Sequence, residues 1–309
     1  MGDSEVVVKT LDELFAHAEA QPRRKMAVAA AEDAGVLHVV LEAYHNGVVQ
    51  PVLIGDAKRI RTLLQEQQAD IPDTWIVDAE SNADAARIAV DLVKQGEADI
   101  LMKGLMQTAD LMRPVVNKEH GLNRGRVISL VSVMEIPGYH KLLTVTDCGI
   151  TANPNLEQKK GILENAVETL KSLGIENPKV AVLSASETVN PKIPDSTDAK
   201  CLADMNRGGE ITDCLVEGPI SMDIALSESI AQKKHYESAV AGDADILLMP
   251  NVLAGNLAVK LLGRFVPVKT VSVVAGAAAP IVLTSRGTSH ENKYRAILLA
   301  AAAVSGKER

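Results

Sequence analysis

Short aliphatic runs alternate with longer amphipathic ones along almost the whole chain. Residues 25–29 read as a strand, and 33–46 as a helix with Val36, Val39, Val40 and Ala43 on one face. Residues 49–54 form the next strand, closed by Gly55-Asp56. A strand at 75–77, a helix at 82–95 ending at Gly96, and a strand at 98–102 follow, leading into Lys103-Gly104. This rhythm predicts a mostly parallel, doubly wound sheet. The middle breaks it. Residues 126–133 and 141–145 are both β-rich, and Pro137-Gly138-Tyr139-His140 lies between them, which predicts a hairpin and an antiparallel element. The alternation then resumes. Helices are expected at 156–173, 198–205, 222–236 and 254–263, with strands at 180–184, 214–216 and 245–249 and a last strand region at 271–283.

One echo stands out. Gly96-Glu97-Ala98-Asp99-Ile100-Leu101-Met102 resembles Gly242-Asp243-Ala244-Asp245-Ile246-Leu247-Leu248-Met249, each where the chain enters a strand. Two similar α/β halves or shared turn chemistry would both produce it.

Composition narrows the function classes. A chain of 309 residues favours two domains. Aromatics make up 2% against 47% hydrophobic residues, so the interior is aliphatic and few stacking platforms for nucleic-acid bases exist. A net charge of −8 also argues against nucleic-acid binding. Cys148, Cys201 and Cys214 have no C-x-x-C spacing and the histidines are scattered, so neither a disulfide framework nor a metal site is expected. Residues 1–6 do not read as a secretory signal and no run of 18 apolar residues occurs, so a cytoplasmic, membrane-free protein is expected.

Candidate chemistry lies where predicted strands end. The most informative stretch is Leu283-Thr284-Ser285-Arg286-Gly287-Thr288-Ser289-His290-Glu291-Asn292, a strand that turns at a glycine into a helix start. Unpaired N–H groups, an arginine fork and a hydroxyl suit phosphate. Glu291 offers acid/base chemistry, or with Thr288 forms only a capping box. Lys103-Gly104 with Thr108 and Arg113, Asp147-Cys148-Gly149, Glu217-Gly218-Pro219, and Asn251 with Gly255 and Asn256 follow other strands. The plain alternatives are helix caps for Asp147 and Glu217, packing for Gly255, and solvated side chains for Lys103 and Arg113. Neither a Walker A sequence nor G-x-G-x-x-G is present, which disfavours P-loop ATPases and typical Rossmann dehydrogenases.

Taken in order, Met102–Arg113, Thr146–Pro154, Val216–Pro219, Pro250–Asn256 and Thr284–Gly287 resemble the phosphate acetyl/butyryltransferase family over nearly the whole length, the butyryltransferase branch most closely. The resemblance implies two doubly wound α/β domains like those of isocitrate and isopropylmalate dehydrogenases, residues 1–124 plus 272–309 and residues 125–271, with substrates in the cleft between them. It implies acyl transfer between coenzyme A, a substrate, and inorganic phosphate, without cofactor or metal, in a homodimer or higher homo-oligomer. Ser285, Arg286 and Gly287 match the phosphate-contacting segment, Arg113 a coenzyme-contacting arginine and Thr108 a cleft hydroxyl. Lys103, Gly104, Asn251, Gly255 and Asn256 complete the expected binding set. Where acetyltransferase members carry a proposed aspartate base, this chain has Asn292, with Glu291 just before it. Butyryl or branched short acyl groups are the expected substrates. Acetyl transfer is the alternative, as is a non-catalytic ligand sensor on the same fold.

Overall fold

The computed structural model describes residues 9–19, 22–284 and 287–304. The N-terminal segment 1–6, expected to carry no leader, lies outside them. The chain forms two compact units, Phe15–Arg126 with Val271–Arg309, and Val127–Thr270 with Met1–Leu14. Helix α1 (Leu11–Glu19) spans the first boundary in sequence. Described residues 9–14 group with the Val127–Thr270 unit, and the Leu11 N–H donates to Glu135 there at 2.9 Å.

In the first unit, β1 (Arg24–Ala29), α2 (Ala34–His45), β2 (Val49–Gly55), α3 (Ala57–Glu66), β3 (Ile76–Asp78), α4 (Asn82–Lys94), β4 (Ile100–Lys103) and α5 (Thr108–Val115) follow one another. Met26–Ala29 and Ile100–Met102 are fully buried, which is why these strands read as unbroken aliphatic runs. Short polar side chains start the helices. Asp33 accepts from the Val36 N–H at 2.8 Å, Asp56 from Arg59 at 3.0 Å and Ser81 from Asp84 at 3.2 Å. The sequence reading contains neither α1 nor α3, and it takes α5, interrupted near its end by Pro114, as a loop.

The second unit holds β5 (Ser129–Glu135), β6 (Leu143–Thr146), α6 (Leu156–Ser172), β7 (Lys179–Leu183), α7 (Pro194–Arg207), β8 (Leu215–Ile220), α8 (Met222–Leu226), α9 (Glu228–Lys233), β9 (Ile246–Leu248) and α10 (Val252–Phe265). Its strands run β5-β6-β9-β7-β8. The β5–β6 pair is antiparallel, as the hairpin reading expected, and the other pairs are parallel. The expected helix over 222–236 is two helices, because Ser227 leaves helical geometry and caps α9 through the Ile230 N–H.

The chain then returns through β10 (Lys269–Ala275), β11 (Ile281–Val282) and α11 (His290–Ala302). The single strand region expected at 271–283 is a hairpin, with Val274 opposite Ile281 in antiparallel register. Gly276, at φ +88°, permits the reversal. Strand β11 pairs in parallel with β4, giving the first unit the order β3-β2-β1-β4-β11-β10.

The sequence echo has a structural counterpart. Asp99 accepts from the Lys25 N–H at 2.9 Å, and its own N–H donates to the Lys25 carbonyl at 2.8 Å. Asp245 makes the same two bonds with Lys179, both at 2.8 Å. In each unit an aspartate just before a strand clamps the start of its parallel neighbour.

Candidate active site

Register decides which residues leave the first sheet together. Ala29 of β1 stands beside Lys103 of β4, and Val282 of β11 beside Met102. The segments that follow are therefore neighbours: Ala30–Asp33, Gly104–Leu105 and Leu283–Thr284. The first two lie flush. Gly104 N–H donates to the Ala29 carbonyl at 2.8 Å and Leu105 N–H to the Ala30 carbonyl at 2.7 Å. A Cβ on Gly104 would stand 2.0 Å from the Ala30 oxygen, so only glycine fits. Lys103 is 5% exposed, and its ammonium donates to the carbonyls of Gly104 at 3.3 Å and Met106 at 3.0 Å. That folds the loop ahead of α5 around a buried cation.

A cavity of about 110 Å³ opens here, with Asp33, Lys103, Thr284 and Lys293 on its walls. Lys293, from the start of α11, went unread in the sequence, because nothing in its spacing distinguishes it from a solvated helix lysine. Glu32 lies close by, against Gly55. Burial raises its pKa, and Asp56 adds to the rise.

Ser285 and Arg286, the expected phosphate contacts, lie outside the described residues. Gly287 is an exposed turn residue where a Cβ would meet nothing within 4 Å, so crowding does not require a glycine there. The cap of α11 differs from the expected Thr288–Glu291 box. Ser289 is the cap and accepts from the Asn292 N–H at 3.3 Å, one residue later in the chain. Glu291 instead points outward, its side chain 67% exposed, in an ion pair with Arg295. Thr108 and Arg113 sit on α5 rather than in a loop, Thr108 opening it and Arg113 in its last turn, both exposed.

The strand ends of the second unit are built tightly. The buried Asp147 carboxylate accepts N–H bonds from Leu130 at 3.1 Å, Gly149 at 2.9 Å, Ile150 at 3.2 Å and Thr151 at 2.7 Å. It anchors its loop. Cys148 is buried beside Ser132, and burial pushes its thiol up to about 11, so it is held as a neutral thiol. Asn251 caps α10 through the Ala254 N–H at 3.0 Å. Gly255 brings α10 against this loop, where a Cβ would stand 2.6 Å from the Asp147 carbonyl oxygen. Asn256 spends an amide N–H on the Cys148 carbonyl at 3.2 Å. These contacts assign Asn251 and Gly255 first to the fold. Glu217-Gly218-Pro219 is part of β8 and not a loop after it. Gly218 faces Val182 and Ala199 there, and the Tyr236 hydroxyl donates to Glu217 at 3.2 Å.

A larger hollow of about 850 Å³ lies at the opposite, amino ends of the second unit's strands, beside His140, Lys179 and Asp243. The charges of Asp243, Lys179 and His140 there are mutually satisfied. Burial opposes ionisation of Asp243, but bonds from Lys179, Lys141 and His140 outweigh it and hold the carboxyl well below the usual range. Size alone therefore does not make it the site. Among the described residues, no group of His, Cys, Asp and Glu could hold a metal ion, and no helix is long and apolar enough to cross a membrane.

Glycine-fitted strand-end loops that gather lysines and a threonine around a small cavity define an α/β protein suited to a phosphate-bearing ligand. The chain belongs to the phosphate acetyl/butaryl transferase family, whose model matches residues 78–301. The resemblance seen in the sequence is thus borne out. The chain is 41% identical over 301 residues to the phosphate butyryltransferase of Clostridium acetobutylicum, covering 97% of this chain and 100% of that one. It is also 41% identical over 278 residues to the phosphate acetyltransferase of Thermotoga maritima, covering 90% and 94%. Among solved structures, a branched-chain phosphotransacylase from Enterococcus faecalis V583 matches with a TM-score of 0.78 and 31% identity, over 92% of this chain and 100% of that chain.

Proposed function

We propose that this protein is an acyltransferase that moves a short acyl group between coenzyme A and inorganic phosphate. The observation that carries the proposal is family membership over nearly the full length, together with lysine-lined loops at the strand ends. In the forward direction a phosphate oxygen attacks the thioester carbonyl carbon. The C–O bond forms, the tetrahedral oxyanion collapses, the C–S bond breaks, and coenzyme A leaves as thiolate and takes a proton from solvent. A thiol of pKa about 8.5 is a good leaving group near neutral pH, so the forward step makes little demand for a general acid. Ser285, Arg286 and the start of α11 hold the phosphate. Arg113 binds a coenzyme phosphate, and Thr108 with the Lys103-Gly104 loop lines the substrate site. Asn256, or alternatively backbone N–H groups near Gly287, is proposed as the oxyanion donor. Glu291 keeps a proposed role beside the site, but an exposed carboxylate tied to Arg295 must leave that pair before it can take a proton.

Butyryl or branched short acyl groups are the proposed substrates, supported by the butyryl-like Met102–Arg113 segment. The relatives at 41% identity carry both acyl names, so acetyl is the second reading. Phosphate-dependent release of free coenzyme A from a series of acyl thioesters tests both. The sensor reading rests on Asn292, and the same assay addresses it. Sparse, unpaired cysteines support a cytoplasmic location, which cell fractionation checks. Kinship with isocitrate and isopropylmalate dehydrogenases is part of the same reading, to be tested by superposing each unit on such an enzyme.

A homodimer is also proposed. Leu253, Leu257, Leu261 and Phe265 recur every fourth residue on α10 and are 65%, 59%, 62% and 78% exposed. Such a stripe is self-complementary across a two-fold axis, so a second copy of the chain would cover it. Light scattering is expected to give a dimer that Leu257→Glu dissociates. A wild-type monomer at assay concentration would contradict this.

A further inference from the structure

We propose that Lys293 is a phosphate-binding residue of this active site, acting with Lys103 on the phosphoryl group that exchanges with coenzyme A. The inference rests on the function proposed above and adds a residue that the sequence motifs do not contain.

The first argument is shape. The cavity of about 110 Å³ has Lys103 on one wall, Lys293 on another and Thr284 between them in the chain path. At about 30 Å³ per liquid water, this space holds three or four waters. That is the scale of one tetrahedral anion and far below a nucleotide-bearing coenzyme.

The second argument is charge. Among the described residues no carboxylate forms an ion pair with Lys293. The nearest acidic wall is Asp33, and its Oδ1 already accepts from the Val36 N–H at 2.8 Å as the cap of α2. The Lys293 ammonium lies 3.9 Å from where a Cβ on Gly35 would stand, in the first turn of α2. A cation at a helix start meets the positive end of the dipole, and the carboxylate beside it is Asp33, whose Oδ1 lies 3.3 Å from the same Cβ position, so an added anion would be favoured there. Lys103 lines the same cavity, its ammonium also donating to the Gly104 and Met106 carbonyls.

The third argument is that Lys293 is held in place. Helix α11 is pinned to α2 beside it. His290 bonds Glu42, Asn46 donates to the Tyr294 hydroxyl at 2.8 Å, and the His38 and His290 rings stack with centroids 4.7 Å apart.

The test compares full-length wild type with Lys293→Gln and Lys293→Arg. Phosphate-dependent thiol release gives kcat and both KM values. Calorimetric titration with inorganic phosphate gives a Kd that does not depend on turnover. One lost charge-assisted hydrogen bond corresponds to roughly a 10- to 100-fold weakening. Lys293→Gln is expected to raise phosphate KM and Kd by that factor, with acyl-coenzyme A KM within about twofold of wild type, and Lys293→Arg is expected to recover part of the loss. An unchanged phosphate Kd in Lys293→Gln overturns the proposal. So does a rise in acyl-coenzyme A KM alone, which would assign Lys293 to a phosphate of the coenzyme. Should Lys293→Gln fail to fold, Lys293→Met takes its place, with a raised phosphate Kd supporting the role and an unchanged one overturning it. If the wild type binds phosphate but releases no thiol, the enzymatic reading fails, while the Kd comparison still judges Lys293.

Discussion

Glu291 and Arg295 are joined across one turn of α11 by an ion pair of 2.6 Å, with Glu291 67% exposed and Arg295 13% exposed. The pair occupies the carboxylate that the sequence offered as a base for the thiol. It also gives the carboxylate a structural role, since an i,i+4 pair with the acid nearer the helix start suits the dipole.

Glu291→Gln is therefore expected to lower kcat by less than about tenfold, against about a hundredfold or more for loss of a general base. The chemistry permits this, because a thiol of pKa about 8.5 is roughly a tenth ionised at pH 7.5. In the direction that consumes acyl phosphate, the rate at fixed coenzyme A is expected to climb between pH 7 and 9 as the thiolate fraction grows. Steady-state kinetics across that range, on wild type and variant, read both effects. A hundredfold loss in Glu291→Gln would restore Glu291 as the base.

Gly104→Ala tests the join between the β1 and β4 loops. Its Cβ would meet backbone oxygens of Ala30 at 2.0 Å and Ala29 at 2.7 Å, and backbone yields less readily than a side chain. A loss of about 1–3 kcal/mol is expected, together with weaker phosphate binding, because the same loop carries Lys103. Gly287→Ala, with nothing within 4 Å of its Cβ, is the control and is expected to melt with wild type. Equal melting temperatures for both variants would contradict the close approach.

Arg113 is exposed in the last turn of α5, without a salt bridge among the described residues to account for it. As a coenzyme contact it should respond to the ligand's charge. Arg113→Ala is expected to weaken coenzyme A about tenfold or more, and a dephospho analogue lacking the 3′-phosphate much less. Equal losses for the two ligands, measured by inhibition or calorimetry, would remove that phosphate as its partner.

Much of this was legible because the central parallel strands are buried. Buried parallel strands such as Ala27–Ala29 and Ile100–Met102 must be aliphatic throughout, and glycine-bearing turns punctuate them. Where local signals conflicted, reading failed. Pro114 hid α5, Ser227 split one expected helix into two, and Gly276 divided one expected strand region into a hairpin. The site motifs were visible as residue types, but their division of labour was not. Asn251 and Gly255 look as chemical as Lys103, yet one caps a helix and the other makes room for a loop, which only the hydrogen bonds and approach distances reveal. Lys293 is the converse case. It belongs to no motif, and it reaches the cavity because α11 docks on α2.

The central claim is phosphate-dependent acyl transfer, and free-thiol release measures it directly. Purified protein with butyryl-, isobutyryl- or acetyl-coenzyme A should liberate coenzyme A only when inorganic phosphate is added, with a stoichiometric acyl phosphate and higher kcat/KM for the four-carbon substrates. A preference for acetyl would move the protein to the acetyltransferase reading and leave the chemistry intact. No phosphate-dependent thiol release from any short acyl thioester, by protein that is folded and binds coenzyme A, would contradict the account.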